Sequence, residues 1–334
     1  MSDTAKLIVA MAGLVLAAPP ARAAALPTVT LANPSVSLSF AVSYLAQDLG
    51  LFRKNGLDVK LVEINGVGAL NAVISGSAEF SQSSGPSFTR AAAKGQRLLA
   101  IAELADRPSS VVILRKSLAE QAGFDPAAPL SVRARLLEGR TIAVDAVNSI
   151  NHAYVRVLAA RGGFDPEAIK LAIMPSPSAA AAFETKAIDG FASGPPWPEK
   201  PVLAGEAVVV ASGPNGDPPD ALPFASLVLV TRPETCAKTP DYCIAMGKSF
   251  AEASSFLHTH REESLALLGK RLPGFDPTLL ASLYGEMLKY APDPPVPTLK
   301  ALENDEIFSV DAGLLAPDDR LKDYDGLFTD RYVR

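Results

Sequence analysis

The chain has 334 residues, a formal charge of −5 and 48% hydrophobic side chains. That apolar share excludes disorder along the whole length. An acidic balance without a clustered basic face excludes nucleic acid as the partner. A chain of this size exceeds what a single core commonly organises, so two lobes are expected.

Residues 7–18 form an apolar run too short to span a bilayer. Ala21-Arg22-Ala23 follows as a small-residue cleavage pattern, and Ala23-Ala24-Ala25 repeats it. The order reads as a secretory signal over residues 1–23, which predicts a periplasmic protein. The start is poor in positive charge, with Lys6 opposed by Asp3, and the rival reading is an Ala-rich tail. Cleavage would remove Lys6, Arg22 and Asp3 and leave the remainder more acidic.

Residues 29–32 read as a strand that ends in Asn33-Pro34-Ser35. Val42, Leu45, Ala46 and Leu49 then recur at i, i+3, i+4 and i+7, the stripe of a helix. Ser35 or Ser37 suits its N-cap. A turn at 54–57 leads to a strand at 59–63, and Asn65-Gly66-Val67-Gly68 opens a helix that stops at Ser75-Gly76. A short strand near Glu79 and Phe80 runs into the Ser-rich residues 81–87. Another helix ends at Lys94-Gly95, and a strand follows at 98–102. Small polar residues thus stand on the loop after each strand. In open parallel sheets that edge is where ligands sit.

Residues 110–114 read as a strand leaving the first lobe. A helix near 132–137 and a strand at 141–144 come next. Asn148 and Ser149 cap a helix whose Ile150, Tyr154, Val157 and Leu158 share a face, and Gly162-Gly163 ends it. Residues 169–174 (strand), 179–186 (helix), a short strand through Phe191 and a strand at 207–211 complete the second set. The Pro- and Gly-rich stretch 212–223 is irregular. Residues 225–231 are expected to return as a strand beside 110–114. Helices are expected at 241–258, 262–272, 277–290 and 299–315.

This order resembles the substrate-binding proteins of ABC importers of the nitrate/sulfonate/taurine type, a group with thiamine-pyrimidine-synthase-like members. Ala46, Leu49, Gly50, Leu51, Phe52, Gly56, Leu57, Val59, Gly66, Ala72, Ser75, Gly76, Ala78 and Phe80 carry the likeness. It continues through 139–144, Asn148, Ser149, His152, 188–191, 227–232 and 303–315. The resemblance implies an α/β, type II periplasmic-binding-protein fold. Each of its two lobes has a central, mostly parallel sheet flanked by helices, and two chain crossings near Pro108 and Phe224 form a hinge. Lobe 1 would comprise 26–108 and 222–334, and lobe 2 residues 109–221. The implied partners are a small organic anion and a membrane permease with its ATPase. A monomer without cofactor or metal is expected.

The candidate ligand contacts in lobe 1 are Asn33, Ser35, Ser37, Gly66, Val67, Ser83 and Ser84. In lobe 2 they are Asn148, Ser149, His152 and Trp197. Most precede helix N-termini, where free N–H groups and the helix dipole attract an anion without a formal positive charge. Each has a plainer reading: Asn33-Pro34 as a turn, Ser35 as a cap, His152 as a packed side chain, Trp197 as a rim residue. Gly66-x-Gly68 lacks the remaining marks of a dinucleotide site. His258-x-His260 puts its rings on different helix faces, which suits no zinc pair. Small loops and one Trp favour a sulfonate or carboxylate with an apolar tail over nitrate. A thiamine pyrimidine would want more stacking and a carboxylate for its amino group.

Cys236 and Cys243 are close enough in sequence to form a disulfide in an oxidising compartment; buried free thiols are the alternative. An enzyme on the same fold is the main rival function. Related sulfinate hydrolases use a first-lobe cysteine, and residues 26–108 have none. Related pyrimidine synthases consume His and Lys of their own site, where only His152 is expected here. A ligand-sensing module is the third reading.

Overall fold

The structure is a computed structural model that describes residues 25–334. The expected secretory signal lies outside the described residues. Among the described residues ten strands form two sheets. They are β1 (Thr28–Asn33), β2 (Asp58–Glu63), β3 (Phe80–Ser83), β4 (Leu99–Ala105), β5 (Val111–Arg115), β6 (Thr141–Val144), β7 (Lys170–Ile173), β8 (Gly190–Ser193), β9 (Ala207–Ser212) and β10 (Leu227–Thr231). The first sheet runs β2-β1-β3-β10-β4 and the second β7-β6-β8-β5-β9.

Each sheet is parallel except for one strand. β10 is antiparallel to both of its neighbours, and so is β5. These two are the strands that enter each sheet from the other one, so they arrive from the opposite direction. Here the structure corrects the sequence reading. Residues 227–231 do not lie beside 111–115; the two strands occupy equivalent places in different sheets. Both are buried along nearly their whole length, as their unbroken apolar sequences require.

The two crossings touch. Phe224 N–H donates to the Asp106 carbonyl at 3.2 Å, and Gly213 N–H to the Ser110 carbonyl at 2.9 Å. A Cβ at Gly213 would stand 2.3 Å from the Pro108 carbonyl oxygen, so only glycine permits this approach.

The first core packs Leu31, Phe80 and Leu229 of the sheet against Phe250 and Leu257 of the helix Pro240–Thr259. The second packs Ile142 and Val144 against Tyr154, Val157 and Leu158 of the helix Ile150–Gly162. The helix Leu299–Asp311 serves both sides. Its Arg90-facing Ser309 meets the first lobe, and its Phe308 stacks 6.4 Å from Tyr154 and stands edge-on to Phe224 with ring centres 5.0 Å apart. Burying a ring such as Phe308 stabilises by about 1.5–3 kcal/mol. Cys236 and Cys243 are joined as a disulfide, with their Cα atoms 5.5 Å apart. It ties the helix Pro233–Lys238 to the start of Pro240–Thr259 within the first core.

Candidate ligand-binding site

The carboxyl ends of β1, β3, β6 and β8 face one another across a cleft. The space between atoms there is about 620 Å³ including its mouth, of which about 60 Å³ admits the centre of a water molecule. One water needs only ~10–15 Å³ on that measure, so the cleft suits a small ligand. Its walls are mainly serine hydroxyls interleaved with Phe40, Val67, Leu70, Ile150 and Leu227.

Seven of the sequence-predicted contacts line this cleft: Ser35, Ser37, Gly66, Val67, Ser83, Ser84 and Ser149. Four do not. Asn33 sits below the wall, where its Oδ1 accepts from Gln82 Nε2 at 2.6 Å and its Nδ2 donates to Ser43. Asn148 turns its side chain to solvent from a backbone with φ of 64°. Its N–H donates to His152 Nδ1 at 2.9 Å. His152 is therefore a buried acceptor behind the wall with its ring proton on Nε2. Burial, helped by Arg156 and Arg90, lowers its pKa. Trp197 stands at the rim, edge-on to Phe275 with ring centres 4.9 Å apart.

Besides the apolar packing of Phe308 on Tyr154, specific bonds join the lobes across the cleft. Ser37 Oγ and Leu38 N–H both donate to the Pro195 carbonyl, each at 2.8 Å. Trp197 Nε1 donates to the Val36 carbonyl at 2.7 Å. Arg90 Nη2 donates to the Asn148 carbonyl at 2.7 Å, while its Nη1 donates to Ser309 Oγ at 3.1 Å. Burial pushes the Arg90 guanidinium down to about 10, against the pull of Asp305. Gly66 and Gly194 allow the approach. A Cβ on Gly66 would lie 2.4 Å from Ala146 Cβ, and one on Gly194 would lie 2.5 Å from Ser37 Oγ.

The helix N-termini are not equivalent. The helix Gly85–Ala93 offers no free donor in its first turn. Gly85 N–H is bound to the Ala225 carbonyl, Pro86 has none, and Ser87 N–H is bound to Ser84 Oγ. In the helix Ile150–Gly162, Ser149 Oγ caps His152 N–H at 3.2 Å. The N–H groups of Ile150 and Asn151 find no acceptor among the described residues, and both residues line the cleft. The start of this helix therefore keeps donors of the kind an anion needs, as does Leu70 N–H in the first turn of the helix Gly68–Ser75, which also lines the cleft.

Sequence reasoning missed Asp145. It follows the last residue of β6 and lines the cleft at 9% exposure. Its Oδ1 accepts from Ser149 Oγ at 2.7 Å and from Asn151 Nδ2 at 2.8 Å. Asn151 Oδ1 in turn accepts from Ser110 Oγ at 2.7 Å. Burial raises the Asp145 pKa, and the bonds from Asn151 and Ser149 oppose that rise. The rule that pointed to Ser35 and Ser83, position after a strand, also applies to Asp145; the missing signal was that a carboxylate could be held there.

The family described as NMT1/THI5 like matches residues 37–264, well over half of the chain. The chain belongs to this family. A Bordetella bronchiseptica RB50 protein of known structure is similar at a TM-score of 0.78 and 19% identity, covering 92% of this chain and 96% of that one. The alkanesulfonate-binding protein SsuA from Xanthomonas axonopodis pv. citri, determined with MOPS bound, has a TM-score of 0.69 and 18% identity, covering 89% and 97%. The periplasmic nitrate-binding protein NrtA from Synechocystis PCC 6803 has a TM-score of 0.63 and 18% identity, covering 78% and 70%. At such identities the likeness establishes the fold alone. This NMT1/THI5-like chain has the periplasmic-binding-protein fold. No curated protein sequence matches it.

Proposed function

We propose that this protein is the solute-binding component of an ABC importer in the periplasm. It captures a small sulfonate or carboxylate between its lobes and passes it to a permease driven by an ATPase. The observation that carries this reading is the cleft between two sheets joined by two crossings and latched by a few hydrogen bonds. Such a closure is strong enough to retain a ligand and weak enough to release one. Lobe 1 is assigned residues 26–108 and 222–334, lobe 2 residues 109–221, and the unit of function is a monomer.

The acidic group of the ligand is assigned to the Ile150 and Asn151 N–H groups with help from cleft hydroxyls. The likeness to sulfonate- and nitrate-binding proteins supports an anion. An enzymatic role has less support, because the cleft wall offers neither Cys nor His nor Lys. A thermal-shift panel of sulfonates, carboxylates and nitrate tests the reading. A ligand at a hundred times its Kd should stabilise the fold by about 2.7 kcal/mol. A melting temperature unmoved by every member would contradict it.

A further inference from the structure

The lobes also touch outside the cleft. The helix Pro277–Tyr290 packs Leu283, Met287 and Tyr290 into the first core. It lies against lobe 2 as well. Phe275, just before its start, meets Trp197 edge-on, and Lys289 Nζ near its end donates to Asn215 Oδ1 at 3.2 Å. The helix Glu199–Leu203 of lobe 2 faces it across a groove lined by Lys200, Leu203, Phe275 and Leu279. Each side of this contact encloses a polar atom that finds no hydrogen-bond partner among the described residues. They are Glu199 Oε2 from lobe 2 and Tyr290 Oη from lobe 1.

The charges around Glu199 do not neutralise it. Glu286, one turn before Tyr290, adds a like charge and is itself paired with Lys289 at 2.8 Å. Lys200 is held by Glu184 at 2.9 Å. Asp106, whose N–H donates to the Tyr290 carbonyl, pairs with Arg107 at 3.2 Å. In the loop that carries Asn215, Asp217 pairs with Arg133 at 3.3 Å. Each of these cations has its own carboxylate. An enclosed carboxylate without a cation is costly, and a carboxyl that keeps its proton avoids the cost. Burial raises Glu199 from 4.5 to about 7, against the pull of its own N–H and with a smaller push from Glu286.

We propose that this contact is a proton-linked clasp: Glu199 takes up a proton when the lobes close on each other, so the cleft holds its ligand more tightly in acid than in base. The inference rests on the capture between lobes proposed above. When the lobes part, Glu199 meets water and ionises at its ordinary value. The closed form thus keeps a proton that the open form gives up. Capture is tightest below pH 4.5 and weakens as pH rises through about 7.

Calorimetry with methanesulfonate, ethanesulfonate and nitrate tests this, because none of the three changes its charge between pH 5.5 and 8.5. The wild type should bind at least one of them about ten times more tightly at pH 5.5 than at pH 8.5. At pH 6.5 binding should take up about half a proton or more per ligand, read from the heats in two buffers of different ionisation enthalpy. Glu199→Gln is uncharged at every pH and leaves Asp145 of the cleft in place, so comparison with the wild type isolates Glu199. It should match the wild type at pH 5.5, bind about ten times more tightly than it at pH 8.5, and take up less proton. Glu286→Gln removes only the repulsion and should give a smaller gain in the same direction. A wild type that takes up no proton, or a lack of gain at pH 8.5 in both variants, overturns the clasp and leaves capture between the lobes standing. Binding of none of the three probes at either pH overturns both.

Discussion

Gly66→Ala is the sharpest probe of the closed cleft. The new Cβ would lie 2.4 Å from Ala146 Cβ in the facing lobe. Carbon atoms pack at about 3.5–4.0 Å, so the lobes must part by ~1 Å or more. The bonds from Ser37 Oγ to Pro195, from Trp197 Nε1 to Val36 and from Arg90 to Asn148 measure 2.8, 2.7 and 2.7 Å. Lengthened by ~1 Å, none of them remains a hydrogen bond. At about 1 kcal/mol for each neutral bond and more for the charged one, closure loses roughly 3 kcal/mol. Affinity should then fall about a hundredfold. The backbone at Gly66 has φ of 57°, and a side chain there costs a further ~1–2 kcal/mol. That strain is present in open and closed forms alike, so it lowers the melting temperature and not the affinity. Calorimetry and thermal melts on the same variant separate the two effects. A variant that melts earlier but binds like the wild type would refute the closure geometry.

The remaining predictions concern stability and the latch. Cys236→Ala with Cys243→Ala should cost about 2.5 kcal/mol, since a bridge with a separation of 7 residues restricts the unfolded chain; an unchanged urea midpoint would contradict that. Burial pushes the Glu103 carboxyl to about 8, against the pull of the Thr298 N–H and with a smaller push from Asp106. The folded chain thus keeps a proton that the unfolded chain releases near 4.5. Stability is full below that value and is lost as pH rises towards 8. Glu103→Gln should flatten this fall by ~2–4 kcal/mol between pH 5 and 8.5, and parallel pH profiles for the two proteins would show the assignment to be mistaken. Trp197→Phe keeps the ring against Phe275 but removes the donor to Val36. It should weaken ligand binding severalfold, the worth of one hydrogen bond, with little change in melting; wild-type affinity would exclude Trp197 as a latch.

Much of the lobe order was legible because it is local. Apolar stripes at 3.6-residue spacing, Gly stops such as Ser75-Gly76 and Gly162-Gly163, and Ser or Gly loops after strands all follow from short segments. The same locality found Ser35, Ser83 and Ser149. What escaped depends on distant partners. Trp197 reads as a possible ligand wall until Val36, 161 residues earlier, takes its N–H. Asn33 reads as a ligand donor until Gln82, 49 residues on, engages its amide oxygen. The pairing of 227–231 depends on the direction in which the chain re-enters the sheet, which no stripe encodes. Asp145 depends on burial beneath a facing glycine. The free N–H of Ile150 differs from the committed one of Gly85 because the Ala225 carbonyl, far along the chain, accepts the latter at 2.9 Å.

The central claim is capture of a small anion by closure, and the single tryptophan reports on it directly. Trp197 joins the lobes through Val36 and packs on Phe275. Its emission should shift to the blue, saturably and at one ligand per chain, when the protein is titrated with a sulfonate or carboxylate that raises its melting temperature. The same titration of Gly66→Ala should need about a hundred times more ligand for the same shift. A ligand that stabilises the protein while Trp197 emission stays constant, or an identical curve for the variant, would contradict capture between the lobes.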